Sequence, residues 1–177
     1  MQHFTREELK SLLQAIPDDM NRLMVLVSFW HGLRASETVG LTGANIRDGY
    51  VHVKRLKGSL ETHQPFVSHP DPLLNEKDKL DELAKKVALD QRLFPMSRFQ
   101  FYRIVNKAGK KAGLPIHKCH PHTLKHSIAM QTIKNAGIEN VRQWLGHRSI
   151  SSSGEYLRVD DETAAKAIAA AAGSLSL

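Results

Sequence analysis

The segment from Leu23 to Trp30 restricts the fold of this chain more than any other. Leu23, Val25, Leu26, Val27, Phe29 and Trp30 put apolar side chains on nearly every side of a helix. A helix with no polar face has to be enclosed by protein. The 177 residues are enough for one well-cored domain around it, with little left for a second. Asp18 and Asp19 favour the helix start through its macrodipole, and Gly32 marks its end. Arg34 therefore emerges where a buried element exits, so its position is held rigidly. Read from its own segment alone, it is equally a surface arginine paired with Glu37.

The remaining elements are arranged around that helix. Thr5-Arg6-Glu7-Glu8 is a capping box that opens a helix with Leu9, Leu12 and Leu13 on one face, ending before Pro17. After Leu41 the helical period fades. Tyr50 to Val53 and Gln64 to Ser68 read as short antiparallel strands, and Lys57 and Gly58 lie in the polar hairpin between them. Locally, nothing separates Lys57 from Lys54. An amphipathic helix is expected over 75–89. A second capping box, Ser97 to Gln100, opens another that closes near Gly113, with lysines at its end. Pro121 fits the first turn of a helix running to Ala136, closed by Gly137. A short helix over 138–145 ends at Gly146. Ser149 to Gly154 reads as a mobile stretch of small polar residues. The tail from Asp160 has the propensity of a helix and almost nothing large to bury, so it is a candidate to dock on a neighbouring subunit.

Charge narrows the function. Lys plus Arg outnumber Asp plus Glu by 25 to 18, for a formal net charge of +7, and ten histidines add further potential charge. That balance favours an anionic partner such as nucleic acid. The single cysteine, Cys119, excludes an internal disulfide and fits a reducing, cytoplasmic setting. No apolar run approaches the roughly 20 residues that span a bilayer.

The chemistry concentrates late in the chain. His122, Lys125 and His126 share one helix face by their i, i+3 and i+4 spacing; His147 follows, and Tyr156 comes nine positions after it. Breaking a phosphodiester without a metal requires a nucleophile, positive charge on the non-bridging oxygens and a proton for the leaving oxygen. A phenol is a weak nucleophile until cations stabilise its phenolate or a base removes its proton. Clustered cations also hold the pentacoordinate phosphorus, and histidine moves protons near neutral pH.

These residues, in this order, resemble the catalytic domain of tyrosine recombinases, the phage and transposon integrases. The resemblance covers about Phe4 to Val159. It implies an α+β, mainly α-helical fold with a small three-stranded antiparallel sheet, and a single catalytic domain over 1–177 with a helical tail from 160. It also implies strand cleavage and rejoining through a covalent 3′-phosphotyrosyl intermediate. Arg34, in Gly-Leu-Arg-x-Ser-Glu, matches the first catalytic arginine, and Glu37 its acidic support. Lys57 matches the sheet lysine used as general acid. His122 matches the histidine of His-x-x-Arg, His147 in Leu-Gly-His-Arg the third-box histidine, and Tyr156 the nucleophile. Lys125 stands where the family has its second arginine, keeping the charge but losing the planar fork that grips two oxygens. The family's helical domain before the catalytic one has no counterpart here, as in an isolated catalytic domain or a single-domain form. The resemblance implies no cofactor or metal. Its partners are double-stranded DNA recombination sites and further copies of the chain, assembled as a tetramer in the cytoplasm of a bacterial or phage-infected cell.

Other readings use the same residues. His117, Cys119, His120, His122 and His126 crowd ten positions, but no Glu follows His122, so the zinc-protease helix motif is missing. A DNA-binding domain without catalysis, or one impaired by Lys125, would use the cations only to hold phosphates. A type IB topoisomerase shares the tyrosine chemistry. His126, Trp144 and Arg142 read as structural: capped, packed in the core and solvated, respectively.

Overall fold

The computed structural model describes residues 2–149, 151–154 and 161–173. Helix α1 (Arg6–Gln14) opens on the expected capping box, with Thr5 Oγ1 accepting from Glu8 N at 3.1 Å and Glu8 Oε2 from Thr5 N at 2.8 Å. Helix α2 (Asp19–Trp30) begins on Asp18, whose side chain accepts from Asn21 N. Leu23 to Phe29 of α2 are all buried, so the all-apolar helix does lie in the core. Burying each large apolar side chain stabilises the fold by about 1.5–3 kcal/mol, which makes α2 the strongest single anchor.

Helix α3 (Ala35–Gly40) follows directly and packs on α5 (Arg98–Lys111). The sheet has the order β1-β2-β3, all antiparallel: β1 (Ile46–Arg47), β2 (Tyr50–Val53) and β3 (Thr62–Pro65). The mainly helical fold with a small three-stranded sheet is thus the one expected. The third strand is placed differently from the reading above: β3 starts at Thr62 and ends at Pro65. Thr62 and Gln64 are buried while His63 and Pro65 face out, so the pairing Val53↔Thr62 fixes which residues turn inward. Phe66 beyond it still donates its amide to Gly49 O.

Helix α4 (Lys77–Lys86) is shorter than the 75–89 span. Its N-cap, Glu76, is fully buried: Oε1 accepts from Val67 N at 2.9 Å and lies 2.6 Å from His31 Nε2. That pull toward the core displaces the helix start. The capping box at Ser97 forms, and Gly113, at φ 69°, follows the C-cap Ala112 of α5.

Helix α6 (Pro121–Ala136) packs on α2 and buries Leu124, Ile128 and Ile133; α7 (Ile138–Leu145) folds back across the turn at Gly137. Ser151–Gly154 forms a short helix, α8, where a mobile stretch was expected. Helix α9 (Asp161–Ala172) has no buried residue. No helix among the described residues is long and apolar enough to cross a membrane.

Candidate active site

Three chain segments meet where α2 ends, and an arginine absent from the sequence reading joins them. Arg55 follows β2 in phase with the inward-facing Val51 and Val53, so its side chain also turns inward. Its guanidinium is fully buried. Nη2 donates to His31 O at 2.8 Å and Trp144 O at 3.2 Å, Nη1 to Gly32 O at 3.0 Å, and Nε to Thr62 Oγ1 at 3.0 Å. Arg55 thereby ties the end of α2, the hairpin and the end of α7 to one another. Gln64 beside it donates through Nε2 to the Trp144 and His31 carbonyls, and its Oε1 accepts from His31 Nδ1 at 2.9 Å.

Glu37 sits against this arginine at the first turn of α3 and uses its whole acceptor capacity. Oε1 accepts from Arg34 Nη1 and from Leu56 N, both at 3.0 Å; Oε2 accepts from Arg34 N at 2.8 Å and from Arg55 Nη1 at 3.4 Å. Burial pushes the carboxyl up, but the hydrogen bonds from Leu56 and Arg34 and the charges of Arg55 and Lys125 outweigh it and hold Glu37 below its usual range.

Arg34 caps α3 and remains partly accessible, with its side chain 23% exposed. Its Nη1 also reaches Leu56 O at 3.2 Å and its Nη2 reaches Ser59 Oγ at 3.5 Å. These are the two ends of a turn, closed by Ser59 N to Leu56 O, that carries Lys57 at φ 55° and Gly58 at φ 72°. Positive φ at both central positions is the signature of a primed hairpin turn. Lys57 is exposed on it, and Arg148 Nε grips Gly58 O from the other side. Arg34 thus holds in place the loop that carries Lys57.

Gly146 locks the third segment. Its φ is 69°, and a Cβ there would lie 2.6 Å from Leu60 O and 3.1 Å from Arg55 Cγ. Leu60 N donates to Gly146 O at 2.8 Å. His147 follows, 9% exposed, with its backbone clamped by Arg142: His147 N donates to Arg142 O and Arg142 Nη1 to His147 O, each at 3.0 Å. Arg142 is therefore not the solvated residue expected from the sequence but a brace for His147. Burial first, then the charges of Lys125, Arg34 and Arg55, push His147 down to about 4.

On α6 the expected face splits by depth. Lys125 is 3% exposed, His126 half-buried and His122 exposed, with the two histidine rings edge to face at 4.3 Å. His122 is also pushed down, by burial first and then by Lys125, His120, Arg34 and Lys57, so cations from α3, the hairpin and α6 all reach it. The structure therefore gathers Arg34, Glu37, Lys57, His122, Lys125 and His147 around one shared field of positive charge. Tyr156 lies outside the described residues. The histidines and cysteine before α6 do not converge on a metal: among the described residues no group of three or more His, Cys, Asp or Glu could hold one. Cys119 is buried against Gly109, its Sγ 3.3 Å from Pro115 O.

The family model described as "Phage integrase family" matches residues 2–163. The chain belongs to the phage integrase family. The tyrosine recombinase XerA of Pyrococcus furiosus is 33% identical over 169 residues, covering 88% of this chain and 56% of that protein. The type 1 fimbriae regulatory protein FimB of Escherichia coli K12 is 31% identical over 159 residues, covering 82% of this chain and 78% of its own length. The chain thus spans little more than half of XerA. Among solved structures, XerA recombinase superposes with a TM-score of 0.71 at 21% identity, over 99% of this chain and 66% of that one. A lambda integrase tetramer bound to a Holliday junction gives 0.69 at 22% identity, over 90% of this chain and 50% of that one. The fold is that of tyrosine recombinase catalytic domains.

Within this integrase fold the residue missed from sequence is Arg55. The available signal was its phase with Val51 and Val53, which sets a charge on the buried face of a strand, where it has to be paired.

Proposed function

We propose that this chain is the catalytic domain of a site-specific DNA recombinase that cleaves and rejoins strands through a covalent 3′-phosphotyrosyl intermediate. The observation that supports the reading is that Arg34, Lys57, His122, Lys125 and His147, from four separate segments, lie within electrostatic reach of one another. Arg34 and Lys125 neutralise the non-bridging oxygens of the scissile phosphate as negative charge builds on phosphorus. His147, held largely neutral, donates a hydrogen bond to the same oxygens. His122 exchanges the proton of the Tyr156 hydroxyl, and Tyr156 attacks. The P–O5′ bond breaks, and Lys57, swung out on its exposed turn, gives the leaving 5′ oxygen its proton. The tyrosyl ester conserves the phosphodiester energy, so no high-energy cofactor is needed. Glu37 and Arg55 position the groups that touch phosphate.

The substrate is double-stranded DNA bearing a recombination site, in the cytoplasm of a bacterial or phage-infected cell. Strand exchange between two duplexes calls for a tetramer. The fully exposed α9, with Ile168 at 70% exposure, supports docking of this helix on a second copy.

The test is a nicked suicide duplex incubated at low salt with wild type and with Tyr156→Phe, then run on a denaturing gel. A covalent protein–DNA adduct with wild type alone supports the reading. DNA binding without adduct from either protein favours the non-catalytic alternative.

A further inference from the structure

An arginine cannot lose its proton inside a protein, whereas a buried lysine readily does. Lys125 is buried to 3% exposure in the middle of the site, and its Nζ has no hydrogen-bond partner among the described residues. The reason is visible in Glu37, its acidic neighbour among the described residues. A carboxylate offers about four acceptor positions. Those of Glu37 are taken by Arg34 Nη1, Leu56 N, Arg34 N and Arg55 Nη1. Among the described residues, the other charged groups acting on Lys125 are cations: Arg55 from the strand end and Arg34 from α3. His122 and His126 on its own helix and His147 after α7 feel its charge in turn, and Lys57 adds to the field at His122. Among the described residues, an ammonium here has three donors, no hydrogen-bond acceptor and two guanidinium neighbours.

We propose that capture of a phosphodiester by this site is coupled to proton uptake at Lys125: above neutral pH the amine of the empty site is mostly uncharged, and it becomes a full cationic clamp as the phosphate enters. The inference rests on the phosphodiester reading above. The arriving phosphate supplies both the missing acceptors and the missing negative charge, and the proton comes from solvent. Burial first, then Arg55 and Arg34, against the opposing pull of Glu37, hold Lys125 down to about 7 in the empty site. The lysine at this position is therefore a proton-gated clamp rather than a weaker copy of an arginine.

The test counts protons. Calorimetric titration of a short nicked duplex into the protein at about pH 8, in two buffers of different ionisation enthalpy, gives the protons taken up per complex. Wild type, Lys125→Arg and Lys125→Met are compared, the methionine being close to lysine in shape and unable to titrate. Arginine keeps a fixed charge at this position and methionine none, so the two variants bracket the response of the neighbouring histidines. The expected result is close to one more proton for wild type than for either variant. The ratio of wild-type to Lys125→Arg affinity should also fall toward tenfold per pH unit above about pH 8. Equal uptake by all three proteins, with wild-type adducts still forming on the same duplex, overturns the proton gate alone. Equal uptake with no adduct from wild type overturns the phosphodiester reading together with it.

Discussion

Arg55 Nη1 lies 3.4 Å from Glu37 Oε2, and neither side chain is more than 1% exposed. This buried ion pair is the brace on which the candidate site stands: Arg55 fixes three backbone segments, and Glu37 fixes Arg34 and the Lys57 turn. Removing one member of a buried pair leaves the other charged without compensation, at a cost of about 3–5 kcal/mol. Arg55→Met should therefore lower the urea unfolding midpoint strongly and lose cleavage with it. An unchanged midpoint would show that Arg55 does not brace these segments.

Arg34 should behave in the opposite way. Its side chain is partly exposed, and without it Glu37 still accepts from Arg34 N, Leu56 N and Arg55 Nη1, so Arg34→Ala should cost much less stability than Arg55→Met. Loss of one preorganised donor to a developing anion slows reactions on the order of 10²–10³-fold. Single-turnover adduct formation on a nicked duplex should fall by that order while the unfolding midpoint moves little. Cleavage at the wild-type rate would remove Arg34 from the site.

Gly146 tests how the third segment is locked. Alanine there has to hold φ near 69° and place its Cβ 2.6 Å from Leu60 O. A strained residue of this kind costs on the order of 1–3 kcal/mol before the clash is counted. Gly146→Ala should unfold at lower temperature and lose adduct formation together, because His147 is the next residue. Wild-type thermal stability would show that the Leu60 loop moves aside freely.

The histidines set the acid limit. Burial, followed by neighbouring cations, pushes His147 and His126 down to about 4 from an ordinary 6.5. The unfolded chain binds these protons first, so the stabilisation is present above about pH 6.5 and is lost as pH falls through about 4. Urea midpoints should decline across that window, and His147→Gln should flatten the decline. A His147→Gln profile parallel to wild type would contradict the assignment.

The helices of this fold were largely legible because each carries its own start and stop. Thr5, Asp18, Ser97 and Pro121 open helices, and Gly137 and Gly146 close them, through local chemistry that needs no tertiary context. The sheet was less legible. The inward residues of β3 are Thr62 and Gln64, polar side chains chosen to satisfy Arg55 and His31, so the hydrophobic alternation that would announce the strand is missing. For the candidate site, the resemblance nominated Arg34, Lys57, His122, Lys125 and His147 by their order along the chain. What that order did not show is depth: that Lys125 is buried while His122 is exposed, or that Arg142 turns back onto His147, depends on how α6 and α7 pack.

Tyr156 is the proposed carrier of the DNA. The chain has three tyrosines, Tyr50, Tyr102 and Tyr156. The most direct measurement is to trap the adduct on a nicked duplex, digest protein and DNA, and identify by mass spectrometry the peptide bearing the nucleotide. The account predicts a 3′-phosphonucleotide on Tyr156 and no other residue. A nucleotide on Tyr50, Tyr102, a serine or a histidine, or one attached through its 5′ phosphate, would contradict it.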